Sequence, residues 1–76
     1  MLKSGKLVEI CQCGKMRPGG LLLNNKGLPC SWRQMSNNEF GVIIENYLFN
    51  EEYYIVLINN QICCVNRCFL KEFNNE

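Results

Sequence analysis

Seventy-six residues, 47% hydrophobic and 20% charged, exclude a disordered chain and leave room for one domain with a thin core, because a chain this short buries only about 60% of its unfolded surface. No apolar run approaches the roughly 20 residues of a membrane helix. The opening Met1-Leu2-Lys3-Ser4-Gly5-Lys6 lacks the apolar stretch of a signal peptide, so synthesis in a cytoplasm and no membrane partner are expected.

The net charge of +1 is unevenly spread. Residues 1 to 38 carry Lys3, Lys6, Lys15, Arg17, Lys26 and Arg33 against Glu9, a net +5. Residues 39 to 76 carry Arg67 and Lys71 against Glu39, Glu45, Glu51, Glu52, Glu72 and Glu76, a net −4. Opposite halves either attract each other within one fold or orient the protein towards a partner or a copy of itself. Asparagine pairs recur at 24–25, 37–38, 59–60 and 74–75, a bias that an AT-rich genome also produces.

In chain order, Lys6-Leu7-Val8-Glu9-Ile10-Cys11 predicts a first short strand. A long segment follows, about residues 12–39, broken by Gly14, Pro18, Gly19, Gly20, Gly27 and Pro29, and only Leu21-Leu22-Leu23 within it resembles strand material. A loop this long inside a compact domain is usually functional. Phe40 to Tyr47 predicts a strand, Asn50-Glu51-Glu52 a polar turn, and Tyr53 to Ile58 the strongest strand of the chain, rich in aromatic and β-branched residues. Asn59-Asn60 supplies a two-residue hairpin turn, Gln61 to Val65 the returning strand, and Phe69 to Phe73 a last strand entered through Asn66-Arg67-Cys68. The expected core is Val8, Ile10, Val42, Ile44, Ile55, Leu57 and Leu70, on the understanding that a slip of one residue exchanges the faces.

The order Gly5-Lys6-Leu7-Val8, a long loop, Gly41-Val42-Ile43-Ile44-Glu45, the Tyr53 to Asn59 hairpin arm and Val65 followed by Leu70-Lys71 resembles small SH3-like barrels, including the KOW-type modules common in phage genomes. The resemblance covers about residues 5–73. It implies a mostly-β single domain over residues 1–76, a small antiparallel SH3-like barrel of about five strands with a long first loop. Closing such a meander would hide strand edges that otherwise invite aggregation.

Six cysteines, Cys11, Cys13, Cys30, Cys63, Cys64 and Cys68, stand in a chain without histidine. A structural zinc would draw on Cys11, Cys13, Cys30, Cys64 or Cys68, but no Cys-x-x-Cys knuckle is present. Cys63 and Cys64, adjacent on one strand, point to opposite faces. Disulfides are the second reading, and reduced thiols acting as small hydrophobes the third and adopted one. A cysteine nucleophile has no histidine base here, Glu51-Glu52 reads as a solvated tip, and the glycines form no phosphate loop. No enzyme and no cofactor are therefore expected.

The long loop carries the expected contact residues Lys15, Met16, Arg17, Lys26, Trp32, Arg33 and Met35, the arginine-plus-large-apolar composition of interface centres. With the resemblance, this predicts a phage virion accessory protein made in the host cytoplasm. It would be a capsid cement or a tail or connector adaptor that binds other virion proteins or copies of itself. The alternative is a nucleic-acid-binding or regulatory KOW-like module, in which Lys15, Arg17, Lys26 and Arg33 surround Trp32 as a stacking surface; the near-neutral net charge weighs against it.

Overall fold

The computed structural model describes residues 2–73. Met1, the Asn74-Asn75 pair and Glu76 lie outside the described residues.

Among the described residues seven strands form: β1 (Leu7–Ile10), β2 (Gly19–Leu23), β3 (Pro29–Gln34), β4 (Phe40–Asn46), β5 (Tyr53–Ile58), β6 (Gln61–Asn66) and β7 (Leu70–Glu72). A 3₁₀ turn, Arg67–Phe69, leads into β7, and the Asn66 side chain caps it by accepting from the Cys68 N–H at 2.9 Å. The chain is mostly β, as expected. All pairings are antiparallel, in the order β3-β2-β6-β5-β4-β1-β7.

This corrects the expected five-strand barrel. The sheet has seven strands and does not close, so β3 and β7 remain as edges. The extra strands come from the segment read as a long loop, where β2 and β3 form a hairpin with Gly20 opposite Arg33 and Leu21 opposite Trp32. Gly19 and Gly20 lie on β2 where neighbouring groups approach the backbone closely. A Cβ on Gly19 would lie 2.3 Å from the Trp32 ring, and one on Gly20 would lie 2.7 Å from the Cys64 carbonyl oxygen. Pro29 opens an edge strand, a position where its missing N–H costs no ladder bond.

The β5–β6 hairpin runs as predicted, from Tyr53 opposite Asn66 to Ile58 opposite Gln61. Its turn residues Asn59 and Asn60 have φ of 50° and 61°, the positive values a tight two-residue hairpin turn requires. The β2–β3 turn is held by Asn24, whose Oδ1 accepts from the Lys26 and Leu28 N–H groups at 2.9 and 3.0 Å.

The core lies on one face of the sheet: Val8, Ile10, Met35, Ile43, Tyr54, Val56, Ile58, Cys63, Val65 and Phe69. Val8 and Ile10 are where they were expected, and Leu70 packs half-buried against this group. On β4 and β5 the faces are exchanged: Ile43, Tyr54, Val56 and Ile58 are buried, while Val42, Ile44 and Leu57 are exposed and Ile55 half-buried. Both sides of these strands are apolar, so alternation does not mark the inner one. A bulge between Ile43 and Glu45 further displaces Ile44 from the regular alternation.

Candidate binding face

The face opposite the core carries a row of apolar side chains in cross-strand register. Leu7 lies opposite Val42, Val42 opposite Leu57, and Leu57 opposite Ile62, with exposures of 38%, 38%, 41% and 43%. Beside this row, Leu23, Cys30, Ile44, Ile55 and Ile62 help to line an open groove of about 650 Å³, rimmed by Asn24, Asn25, Glu45, Asn60 and Gln61. Trp32, 64% exposed, lies on the same face, with its ring over Gly19. Phe40 meets Phe73 edge to face at 5.4 Å. Single exposed apolar residues are ordinary on a protein surface, but a contiguous patch marks an interaction site.

The contact residues expected from sequence do not form one group. Lys15, Met16 and Arg17 are exposed near a turn in which Cys13 and Met16 exchange backbone hydrogen bonds of 3.3 and 2.9 Å. Lys26 is at the far end of the β2–β3 hairpin, separated from them by the length of β2, about 16 Å for five residues. Met35 is 3% exposed and belongs to the core, which removes it from any contact surface. Its backbone N–H donates to the Pro18 carbonyl at 3.0 Å and turns the side chain inward.

Arg33 is also committed within the fold. Its Nη2 donates to Glu39 Oε1 at 2.7 Å, Asn59 Nδ2 donates to the same oxygen at 3.2 Å, and the Ser36 N–H donates to Oε2 at 2.7 Å. Nη1 of Arg33 is buried without a hydrogen-bond partner. The Arg33 hydrogen bond holds the Glu39 carboxyl below the usual carboxylate range, assisted by the Ser36 N–H and opposed by burial. This ion pair joins the basic first half of the sequence to the acidic second half. Only Trp32, of the central pair Trp32-Arg33, is free to meet a partner with most of its surface. The basic residues thus do not converge into one groove around it.

The polar turn expected at Asn50-Glu51-Glu52 lies between β4 and β5, but sequence reasoning missed the exposed apolar residues beside it. Leu48 and Phe49 are 86% and 82% exposed there, and Tyr47 stacks edge-on against Phe49 at 5.4 Å. The available signal was Tyr47-Leu48-Phe49 immediately before the polar Asn50-Glu51-Glu52 turn, of which only Tyr47 is assigned from sequence, as the last residue of the strand.

All six cysteines are free thiols. Cys63 and Cys64 are buried on opposite faces, Cys63 in the core and Cys64 in a small cleft with Leu21, Trp32 and Tyr53. Burial pushes both thiols above their ordinary range. Cys30 is exposed on β3 and donates to the Leu22 carbonyl at 3.3 Å. Among the described residues, no group of three or more Cys, Asp or Glu side chains is arranged to hold a metal ion, and no helix is long and apolar enough to cross a membrane.

Comparison with protein-family models, with curated proteins and with solved structures found no match for the chain. The SH3-like and KOW resemblance therefore rests on the residues quoted for it.

Proposed function

We propose that this protein is a non-catalytic binding module that holds another protein against the outer face of its sheet. The observation that carries this reading is the Leu7–Val42–Leu57–Ile62 row, four large apolar side chains in register across four strands and all more than one-third exposed. Burying such a row in a partner removes apolar area from water at about 25 cal/mol per Å². Trp32, on the same face of the sheet, is the residue type that interfaces favour as an anchor. The virion setting, as a capsid cement or a tail or connector adaptor, is the specific form of this proposal. Its support is the sequence resemblance, together with a size and surface suited to docking.

The test replaces Leu57 and Ile62 together by Glu, on the outer face and away from the core. The altered chain should stay folded, with an unchanged circular dichroism spectrum and melting curve. It should also lose the self-association expected of the wild-type chain in sedimentation, or its expected stoichiometric place in purified particles. A wild-type chain that sediments as a monomer at high concentration and is absent from particles would remove the proposal.

A further inference from the structure

Two apolar features that the fold leaves open to solvent have opposite shapes. One is convex: the β4–β5 turn ends in Leu48 and Phe49, 86% and 82% exposed. The other is concave: the groove of the outer face, floored by Leu23, Cys30, Ile44, Ile55 and Ile62. Neither Leu48 nor Phe49 lines the groove of its own chain.

The turn is built as a firm knob. The Tyr47 N–H donates to the Tyr53 carbonyl at 2.9 Å, the Tyr53 N–H to the Asn50 carbonyl at 3.0 Å, and the Glu52 N–H to Asn50 Oδ1 at 3.0 Å. Tyr47 braces the Phe49 ring edge to face. A partner that covers this knob therefore has little chain left to order, which keeps the cost of binding low. At about 650 Å³ the groove has room for both side chains, since clefts of about 300–1,000 Å³ take up most of the surface of a small molecule.

The charges beside the two features are complementary. Glu51 and Glu52 follow Phe49 and Asn50 on the knob, both exposed. The groove is bounded on one side by the β2–β3 turn, where Lys26 is exposed between the lining residues Asn25 and Gly27. Among the described residues, none of these three charges is in an ion pair. The other charge at the groove, Glu45, is on β4, separated from the β2–β3 hairpin by β6 and β5. A knob with two carboxylates is thus steered in with them towards Lys26 and away from Glu45.

We propose that the outer groove of one copy receives the Leu48–Phe49 knob of a second copy, with Glu51 and Glu52 of the knob facing Lys26. This rests on the reading of the outer face as a docking surface and names its occupant. Both halves of the contact are carried by one chain, and an apolar knob that fits a pocket elsewhere on the same molecule joins unlike surfaces of successive copies.

The experiment uses two full-length variants in sedimentation velocity. Leu48→Ser with Phe49→Ser removes the knob and leaves the groove, while Leu57→Glu with Ile62→Glu puts carboxylates in and beside the groove and leaves the knob. Wild type should self-associate, and each variant alone should do so about a hundredfold more weakly, with an unchanged circular dichroism spectrum. Mixed in equal amounts, the two variants should form a one-to-one pair and nothing larger, because one intact knob then meets one intact groove. A knob variant that associates like wild type would overturn the assignment of the knob, and the outer-face reading would stand if the groove variant alone is impaired. Two impaired variants that stay apart when mixed would overturn it too, as would a wild-type chain that remains a monomer at high concentration. A groove variant that assembles normally would remove both this assignment and the self-association expected of the outer face.

Discussion

Ile58 and Leu57 are neighbours with opposite fates, and they offer the cleanest check on which face of β5 is inside. Ile58 is 1% exposed and Leu57 41%. Ile58→Ala should cost about 2–5 kcal/mol in equilibrium denaturation, while Leu57→Ala should stay within about 0.5 kcal/mol. Equal costs would return the sheet to the register in which Leu57 points inward. At Glu39 the expectation concerns pH. Its folded carboxyl titrates below its unfolded value, chiefly through the Arg33 hydrogen bond. Its contribution is therefore full above the unfolded value of 4.5, and is lost as pH falls through the lower folded value. Urea denaturation of wild type and Glu39→Gln should show a stability gap at neutral pH that narrows steadily below about pH 4. A gap independent of pH would mean that the carboxylate charge contributes nothing. Residue by residue, the sequence was most legible where chemistry is local. Asn59 and Asn60 were recognisable as turn formers, and so was the distribution of Cys63 and Cys64 to opposite faces. The burial of Met35 and the ion pair of Arg33 were not legible, because both depend on partners distant in the folded sheet.

Among the elements, the β5–β6 hairpin was legible and the β2–β3 hairpin was not, for a physical reason. Tyr53 to Ile58 announces a strand through its aromatic and β-branched side chains. Gly19-Gly20 and Pro29 announce breaks, yet here the glycines give space to the Trp32 ring and the Cys64 carbonyl, and the proline lies on a free edge. Propensity was overridden by close packing that only the folded chain displays. The turns offer a direct measurement. Replacing Asn59 and Asn60 by Ala forces two alanines into positive φ and should cost about 1–2 kcal/mol for each. Replacing Asn60 alone by Gly should be neutral or stabilising. Thermal melts of the two variants separate a turn demand from a mere preference for asparagine. The expected asparagine bias thus has a structural component. Asn24, Asn50 and Asn66 each accept a nearby backbone N–H, and Asn38, Asn59 and Asn60 adopt positive φ.

At the scale of the whole molecule, Gly41 marks where core side chains of β5 pack closest against β4. A Cβ on Gly41 would fall 2.7 Å from the side chains of both Val56 and Ile58. Gly41→Val should therefore overpack the core and cost about 1–3 kcal/mol or more, visible as a lower denaturation midpoint with unchanged strand content at low denaturant. The strand order interleaves the two halves of the sequence, since β1 lies between β4 and β7. That same strand order governs how the chain finds its structure. β4, β5 and β6 follow one another and pair with immediate neighbours, so they form early and close short loops. β1 has to wait, because both of its partners come later in the sequence, and the pair Ile10 and Leu70 closes nearly the whole chain. Ordering so distant a contact late makes folding slow, in milliseconds to seconds. It also leaves the edge strand β7, and β1 beside it, as the first to open. Amide exchange should accordingly be slowest in β5 and β6 and fastest, among the strands, in β7.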